Sequence, residues 1–436
     1  MDHLKKKFIE KATPKNAELK ELIAKHGEKV IGEVTIASVL TGMKGTVSLL
    51  TDTSKLDSEE GIRFRGYSIP EVRELLPRAQ PEGEPLPEGL FLLMLMDELP
   101  DKKAVDELSR EWNKRATVPE HVFRVIDSFP KNSRPMLQFT AAILALGTES
   151  KFQKAYIEGL SKKDYWDPTY EDVMDLIARL PRIAAYIYRR AYHNNEQIDP
   201  DPELDWAANL AHMMGHNNLE AFRLMRLYMV LHADHEGGNV SAHATHLVGT
   251  ALSHPYYAFA AGMTGLAGPL HGFANQEVIR WVAGLIKEIE PDYDNKEKIR
   301  KYVLKTLEDG KVVPGYGHAV LRKTDPRFTA QMEFGKKYLP NDPWFKTITS
   351  LFEVVPEILS SISKIKNPWP NVDASSGVLL MHYGIKEFDF FTVLFGVSRS
   401  LGVLSQLLWD RALGVPIERP SSQPLSWFVE KAGKSK

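Results

Sequence analysis

The sequence contains no cysteine, although it is 436 residues long. Disulfide bonds, thiolate zinc sites and cysteine nucleophiles are therefore excluded, and a reducing compartment is compatible with this composition. An excess of basic residues is absent too, because 55 Lys and Arg against 57 Asp and Glu give a net charge of −2. The composition therefore indicates neither nucleic-acid nor membrane binding. An anionic ligand would need locally concentrated positive charge.

Sequence patterns typical of β-strands are few. Short β-branched stretches between residues 47 and 66 predict one or two hairpins. Elsewhere apolar residues recur with helical period, most clearly in residues 276–290, and residues 221–232, 242–252 and 256–266 also predict helices. We therefore predict a mainly α fold with many helices and minor β-hairpin content.

Residues 390–409 form an apolar stretch with a single charge, Arg399, near the middle. The stretch is long enough to span a membrane, but a guanidinium group at mid-bilayer depth is costly, and Asp389 and Asp410 bound the stretch. A buried helix of a large soluble protein is the favoured interpretation. A buried Arg399 needs an anionic partner, which is either an internal carboxylate or an anionic substrate.

Six of the 14 histidines lie between His232 and His271. The i, i+3 spacing of His232 with His235, and of His243 with His246, is compatible with a metal site. No His-Glu-x-x-His pattern accompanies these pairs, and buried histidines usually have hydrogen-bond partners of their own. We therefore predict no metal site, with a metal-dependent hydrolase as an alternative.

A turn rich in Gly and Pro, residues 265–272, places His271 just before the helix predicted at 276–290. The positive end of that helix would lower the pKa of His271. A neutral imidazole that donates a hydrogen bond to a carbonyl oxygen is the electrophile that enolisation needs. The alternative is that His271 only caps or fills the turn.

Pro and Gly residues surround Tyr316 in a tight turn, and His318 follows directly. Asp325 and Pro326 match the N-cap and the first position of a helix, which places Arg327 in the first turn. A cation is disfavoured there unless it binds the same anion as the helix N-terminus. A solvated surface arginine is the alternative.

Two prolines pin the loop of residues 367–373, which ends on Asp373. Asp373 is either the cap of a helix or a carboxylate base on a rigid loop. One carboxylate, two histidines in Gly/Pro turns and isolated arginines together suit proton abstraction next to a carbonyl group of an anionic substrate. The motifs of P-loops, dinucleotide-binding turns and serine nucleophile elbows are absent.

At these residues the sequence resembles the citrate synthases, in particular the dimeric form typical of mitochondria. The similarity extends over nearly the whole chain in the family's order, and it is densest in residues 57–67, 235–246, 265–277, 312–327, 367–380 and 395–401. The resemblance implies an almost all-α, two-domain homodimer. The large domain would comprise residues 1–273 and 384–436, and the small domain residues 274–383.

The resemblance also implies an acyltransferase that condenses acetyl-CoA with oxaloacetate through an enol or enolate, hydrolyses citryl-CoA to citrate and CoA, and needs no cofactor. Asp373 would take a proton from the acetyl methyl group, His271 would hydrogen-bond the thioester oxygen, and His318 would donate to the oxaloacetate ketone. A runner-up mechanism gives the proton abstraction to a histidine. The oxaloacetate carboxylates would be bound by His235, Arg327, Arg399 and, reaching over from the second subunit, Arg419.

The CoA contacts are likewise implied by the resemblance. The adenine would lie on the loop formed by Val313, Pro314, Gly315, Tyr316, Gly317 and Ala319, and the phosphates would be approached by Arg322, Lys366, Lys44 and Lys162. Lys44 and Lys162 stand where relatives often carry Arg, which keeps the charge but loses the bidentate fork. Ser375, beside Asp373, stands where relatives often carry His, and this difference puts only the local tuning of pKa in doubt.

Three expectations stay open at this point. A helical scaffold without activity is one rival, and a 2-methylcitrate synthase that uses propionyl-CoA is another. Residues 1–27 lack the apolar core of a secretory signal and carry acidic residues that a transit peptide avoids. We therefore expect a cytoplasmic protein of bacterial type, with the mitochondrial matrix as the alternative if a presequence has been removed.

Overall fold

The computed structural model describes residues 2–318 and 320–433. Within these ranges the chain forms 20 α-helices: α1 (Asp2–His26), α2 (Ile36–Leu40), α3 (Ile69–Leu75), α4 (Pro87–Met96), α5 (Lys102–Arg115), α6 (Glu120–Asp127), α7 (Pro135–Leu146), α8 (Lys151–Ile157), α9 (Trp166–Tyr192), α10 (Trp206–Met214), α11 (Leu219–Leu231), α12 (Val240–Thr250), α13 (Pro255–Leu266), α14 (Ala274–Ile289), α15 (Lys296–Glu308), α16 (Pro326–Tyr338), α17 (Pro343–Ser360), α18 (Asp373–His382), α19 (Phe391–Leu413) and α20 (Leu425–Gly433). The predicted mainly α class is confirmed.

The one sheet among the described residues is small and antiparallel, with strands β1 (Ser54–Asp57), β2 (Gly61–Phe64) and β3 (Tyr67–Ser68) in sequence order. Leu56 of β1 lies opposite Ile62 of β2, and both side chains are buried. The sheet lies within the region where the sequence predicts hairpins, extended by the two residues of β3.

Four helices near the middle of the chain match the predicted positions within a few residues, namely α11, α12, α13 and α14. Short polar side chains fix where they begin. Asn218 accepts a hydrogen bond from the amide of Ala221 at the start of α11, and Asn239 does the same for Ala242 in α12. His254 caps α13 by accepting from the amide of Tyr257. The predicted and observed helix starts differ by one or two residues because capping side chains, and not the apolar period, determine where each helix begins.

Helix α19 is the core helix that the apolar stretch predicts. Among the described residues it provides the one segment long and apolar enough to cross a membrane, and 94% of that segment is buried inside the protein. It packs against α1, α4, α9, α12 and α13. Gly402 lets it approach Asp234 closely, because a Cβ at this position would overlap the Asp234 side chain. The buried-helix interpretation of residues 390–409 is confirmed.

Helices α14 to α18 pack mainly against one another, through contacts of α14 with α15 and α18 and of α17 with α15 and α18. The loops that precede α16 and α18 lie side by side and meet α19 and the loop before α12. The candidate site lies where these loops come together.

Candidate active site

Arg327 and Asp325 form a buried ion pair at the start of α16. The Asp325 side chain caps the helix by accepting from the Arg327 amide at 2.9 Å. Its two oxygens also accept from Arg327 Nε at 3.0 Å and Nη2 at 2.7 Å. Burial raises the pKa of Asp325, but the Arg327 charge and hydrogen bonds outweigh it and the pKa lies below its ordinary value. The predicted cap is confirmed, and the alternative of a solvated surface Arg327 is wrong.

Arg399 is also buried, but within the part of the chain that the structure describes no carboxylate forms an ion pair with it. Its Nε donates to the His232 carbonyl at 3.2 Å, and Nη1 donates to Asn239 Oδ1 at 3.1 Å and to Ser241 Oγ at 3.3 Å. No carboxylate of the described residues lies within 4.0 Å of its guanidinium. Burial lowers the pKa of Arg399 to about 10. The charges of Asp234 and Asp373 act in the opposite direction but are outweighed by burial. A buried cation that is hydrogen-bonded only to neutral groups can receive an anion.

His271 is held as a neutral imidazole with its proton on Nδ1. Its Nε2 lies 3.2 Å from the amide of Ser241 and 2.9 Å from Ser241 Oγ. A backbone amide can only donate, so Nε2 accepts and Nδ1 carries the hydrogen. Burial, and then the charge of Arg399, lowers the pKa of His271 to about 4.

The helix N-terminus that contacts the His271 ring is not the one that the sequence pattern predicts. The sequence pattern assigns the low pKa of His271 to the N-terminus of the following helix, which begins at Ala274. The amide that contacts the ring instead belongs to Ser241 in the first turn of α12. This contact joins segments 30 residues apart in the chain, so local sequence patterns could not predict it.

His318 is the second neutral imidazole, and its proton is on the other nitrogen. Its Nδ1 accepts from the amides of Val320 at 3.0 Å and Leu321 at 3.1 Å, which leaves Nε2 as the donor. Burial, and then the charge of Arg327, lowers its pKa. The ring centroid lies 5.6 Å from that of His235.

His235 lies between the two arginines and the other histidines of the site. Burial, followed by the charges of Arg327 and Arg399, lowers its pKa well below the ordinary value. Its Nε2 is buried and has no hydrogen-bond partner among the described residues. An uncharged imidazole with an unpartnered nitrogen is suited to bind a polar ligand group.

Asp373 is the first residue of α18, not its cap, because the N-cap is Val372. Its own amide donates to Asn371 Oδ1 at 3.0 Å. Burial raises the pKa of Asp373 to about 6, while Arg327 and Arg399 act in the opposite direction. A carboxylate with a raised pKa is a stronger base than an ordinary one and is still ionised at neutral pH.

The loop before α18 is bonded to the loop that carries His318. The Gly317 amide donates to the Trp369 carbonyl at 2.9 Å, and the Asn371 amide donates to the Gly315 carbonyl at 2.9 Å. Gly315 has a φ of +80°, and a Cβ there would lie 2.9 Å from Ala374 Cα. These hydrogen bonds fix Asp373 and His318 relative to each other.

The residues assigned to CoA divide into two groups. The first lies on the same pair of loops: Val313 is buried, Pro314, Gly315, Tyr316 and Gly317 are half-buried, and Arg322 and Lys366 are exposed. The Arg322 guanidinium donates to the carbonyls of Val320 and Leu321. Ala319 lies outside the described residues.

The second group, Lys44 and Lys162, is not brought to the cluster within one chain, and neither is Arg419, which was assigned to oxaloacetate. Lys44, Lys162 and Arg419 are all exposed. Lys44 lies between α2 and β1, Lys162 lies between α8 and α9, and Arg419 lies in the extended segment after α19. One chain therefore assembles His235, His271, His318, Arg327, Arg399 and Asp373, and leaves these three basic residues at its surface.

Some residues of the site were not predicted from sequence. Asn239 and Ser241 orient Arg399 and His271, and Phe395 lies 4.7 Å from the Arg399 guanidinium carbon. The available signal was the Asn-x-Ser sequence at the start of a predicted helix, where Asn reads only as a cap. Asp234 is buried and accepts from Thr53 and Ser54, and no sequence signal marked it.

The histidines between His232 and His246 contact aromatic and carboxylate side chains. Among the described residues no group of three or more His, Cys, Asp and Glu side chains could hold a metal ion. His232 stacks on Tyr228 at 4.1 Å between ring centroids. His243 and His246 face carboxylates, as described below.

Comparison with known proteins leads to one family. A family model described as the C-terminal domain of citrate synthase matches residues 42–421. A solved citrate synthase from Pyrobaculum aerophilum superimposes with a TM-score of 0.77 at 28% identity, covering 91% of this chain and 95% of that one. A citrate synthase from Thermoplasma acidophilum, solved with carboxymethyl coenzyme A and oxaloacetate, shares the fold with a TM-score of 0.72 at 22% identity, covering 88% of this chain and 94% of that one.

Sequence relatives lead to the same family. The mitochondrial citrate synthase of Daucus carota is 56% identical over 417 residues, which cover 96% of this chain and 88% of that protein. Mitochondrial citrate synthase 4 of Arabidopsis thaliana is 53% identical over 432 residues, covering 99% and 91%. These names do not support the cytoplasmic location expected from sequence. Together with the family model, these relatives show that the chain belongs to the citrate synthase family.

Proposed function

We propose that His271, His318 and Asp373 carry the citrate (Si)-synthase reaction of this chain. Citrate synthases convert acetyl-CoA, oxaloacetate and water to citrate and CoA without a cofactor. The observation that supports this assignment is the pairing of two neutral imidazoles with opposite tautomers and a carboxyl group whose pKa is about 6.

Asp373 acts as the base in the first step. Its carboxylate takes a proton from the methyl group of acetyl-CoA, and the electron pair of the C–H bond moves toward the thioester oxygen. A carboxylate is a weak base for such a proton, so the barrier falls only if the oxygen is stabilised where charge develops. The Nδ1–H of His271 donates to that oxygen, which makes a histidine base unnecessary.

His318 acts in the second step. The enol or enolate carbon attacks the ketone carbon of oxaloacetate, and the Nε2–H of His318 donates a hydrogen bond to the ketone oxygen as that oxygen gains negative charge. The hydroxyl group that results gains one proton, which balances the proton that Asp373 removed from the methyl group. Citryl-CoA forms, and water then cleaves its thioester to give citrate and CoA. Because both imidazoles are neutral, each donates without adding a positive charge that would hold the product.

Oxaloacetate is bound by Arg327, Arg399 and His235 in this proposal. Arg399 lacks a carboxylate of its own, and His235 Nε2 lacks a partner among the described residues. The two arginines concentrate positive charge in one place in a chain whose net charge is −2. Local charge of this kind lets a nearly neutral protein bind a dianion.

We further propose a homodimer in which Arg419 reaches the oxaloacetate of the other subunit. Apolar side chains are exposed along α7, α12 and α13, including Leu137 (53% exposed), Leu247 (42%) and Tyr257 (49%). Clustered exposed apolar side chains are typical of interaction surfaces. Lys44 and Lys162, exposed like Arg419, would contact CoA phosphates in the same way, beside Arg322 and Lys366.

A mixed dimer tests whether Arg419 acts across the subunits. Subunits with Arg419→Ala are combined with subunits carrying His271→Ala, and activity is measured for each homodimer and for the mixture at an oxaloacetate concentration below the KM of the unsubstituted protein. In the hybrid one site keeps both His271 and the other subunit's Arg419, so activity returns toward half of the normal value per dimer. If Arg419 acts within its own chain, both sites of the hybrid stay defective and no activity returns.

Residues 274–383 are proposed as a small domain that closes on oxaloacetate. The chain enters this part after Gly272 and leaves it near Gly384, whose φ of +94° is a conformation that favours glycine. Closure would complete the acetyl-CoA site and exclude water. Small-angle scattering with and without oxaloacetate tests this, and identical profiles would contradict closure.

Acetyl-CoA is the proposed acyl donor, and the mitochondrial matrix is the proposed location, supported by the names of the relatives. Release of free CoA is measured with acetyl-CoA and with propionyl-CoA, each with and without oxaloacetate. We expect release that depends on oxaloacetate and is faster with acetyl-CoA. Faster release with propionyl-CoA would favour a 2-methylcitrate synthase, and no dependence on oxaloacetate would contradict the proposal.

A further inference from the structure

The segment after α19, which carries Arg419, is tied to α12 through the residue before it. Glu418 Oε1 lies 3.1 Å from His243 Nε2, and the Glu418 amide donates to Thr250 Oγ1 at 3.1 Å. His246 Nε2 lies 3.9 Å from Glu418 Oε2. Residues 415–424 contain no helix or strand, and these contacts hold the backbone next to Arg419.

His246 lies between two carboxylates on different elements. Its Nδ1 lies 2.8 Å from Asp410 Oδ2 in α19, and Glu418 faces its other nitrogen. Asp410 Oδ1 in turn accepts from Gln406 Nε2 at 2.8 Å. The imidazole therefore joins α12, α19 and the extended segment, and we call His243, His246, Asp410 and Glu418 the Glu418 clasp.

We propose that His243 and His246 are positioning residues, which hold Glu418 and thereby fix the backbone from which Arg419 reaches the oxaloacetate of the other subunit. This inference rests on the proposed role of Arg419. The physical reason is entropic, since an exposed arginine has many rotamers and binds an anion more weakly if its backbone is also free. A fixed backbone leaves only side-chain freedom to be lost on binding.

Protonation of His246 is part of this arrangement. The hydrogen bond to Asp410 raises the pKa of His246, with further contributions from the charges of Asp410 and Glu418. His243 on α12, and Asp234 and Glu236 of the loop before it, are the other titratable groups around the His246 ring. Since the folded pKa is raised, the clasp is complete below it and is lost as the pH rises through it.

The test compares three single variants by steady-state kinetics. Glu418→Gln and His246→Gln remove one charge each from the clasp. His3→Gln is the matched control, because His3 forms a similar histidine–carboxylate pair with Glu107, 3.3 Å apart, far along the chain from Arg419. We expect both clasp variants to raise the KM for oxaloacetate about tenfold with kcat and the KM for acetyl-CoA nearly unchanged, since loss of a positioned contact that is equal in ground and transition states appears in KM.

The pH dependence provides a readout that a merely structural role would not move. In the unsubstituted protein the oxaloacetate KM rises as the pH increases through the raised pKa of His246, and in His246→Gln this limb disappears. The other site histidines titrate below their ordinary values, so they do not account for a limb on the alkaline side. A limb that persists when both His243 and His246 are replaced by Gln would overturn the proposal.

Arg419→Ala separates failure of this inference from failure of the proposed function. If Arg419→Ala leaves the oxaloacetate KM unchanged, the proposed role of Arg419 is wrong. If Arg419→Ala raises the KM but Glu418→Gln does not, only the clasp is wrong. If the clasp acts through Arg419, the double variant Glu418→Gln/Arg419→Ala has the same oxaloacetate KM as Arg419→Ala alone. Additive effects of the two substitutions on this KM would contradict the proposal. Light scattering and thermal melting confirm that each variant keeps its assembly and fold.

Discussion

The polar residues in the interior of the site and the basic residues at the surface of the chain are held in different ways. In the interior, His318 Nδ1 accepts two backbone hydrogen bonds and Arg327 forms a two-pronged ion pair with Asp325. At the surface, Lys44 and Lys162 are exposed and belong to segments away from the cluster. The interior half of the site is thus fixed by the fold of one chain, before any ligand binds.

This difference predicts a division of labour. Groups that are already oriented stabilise charge in a transition state without reorganisation, and their loss reduces kcat. Exposed basic groups are ordered only by ligand or by a second subunit, so their loss affects mainly the KM of the ligand they bind. The predictions below test that division, starting from the largest expected effect.

Asp373→Asn should lower kcat by about 1,000-fold or more, or about 4 kcal/mol, because the amide cannot accept the methyl proton. Binding of oxaloacetate should stay within a few-fold of normal, since the arginines are unchanged. Turnover and calorimetric binding of oxaloacetate measure the two effects. Near-normal turnover would remove Asp373 from the role of base.

Arg327→Met and Arg399→Met should both abolish tight binding of oxaloacetate but differ in stability without ligand. Arg327→Met leaves Asp325 buried without its partner, a change that costs roughly 3 kcal/mol in the free energy of unfolding. Arg399→Met removes a buried cation whose guanidinium has no carboxylate within 4.0 Å among the described residues. We expect it to be clearly less destabilising in denaturant unfolding. Equal destabilisation would contradict the distinction between the two arginines.

The pH profile of kcat/KM should have an acid limb near the pKa of Asp373, about 6. The base must be ionised, so activity is full above this pH and falls about tenfold per unit below it. The limb lies well above the pKa of His271, about 4, so the two groups can be told apart. A profile that stays flat down to pH 5 would exclude a carboxylate with this pKa as the base.

Lys44→Arg should have the smallest effect. If Lys44 contacts a CoA phosphate, the planar fork of arginine strengthens that contact and lowers the KM for acetyl-CoA about two- to threefold with kcat unchanged. Lys29→Arg is the matched control, because Lys29 is an exposed lysine of the same N-terminal region. An acetyl-CoA KM equal to that of the control would count against a phosphate contact at Lys44.

Much of the architecture could be predicted from the sequence because it depends on local signals. Apolar period gave the positions of α11 to α14, and Asp325 with Pro326 gave the start of α16. A single arginine in an apolar stretch indicated both the burial of α19 and the need for an anion at Arg399. The candidate site residues came largely from the resemblance to a family, and their roles stay proposals.

What could not be predicted depends on contacts between distant segments. The contact of the Ser241 amide with His271 determines the tautomer of that histidine, and nothing near His271 in sequence indicates it. The pairing of His246 with Asp410 joins residues 164 positions apart. The spacing of His243 and His246, which is compatible with a metal site, therefore has another physical reason. Such contacts require the packing of α12 on α19.

A crystal structure of this protein with oxaloacetate and carboxymethyl-CoA would test the central claim most directly. The stable carboxylate of carboxymethyl-CoA takes the place of the enolate. We predict that His271 Nδ1 and the Asp373 carboxyl group lie within about 3.2 Å of the carboxylate that replaces the acetyl group. Arg327 and Arg399 should contact the oxaloacetate carboxylates, with His318 Nε2 at the ketone. A complex in which Asp373 and His271 lie beyond hydrogen-bond distance of the bound ligands would contradict the account.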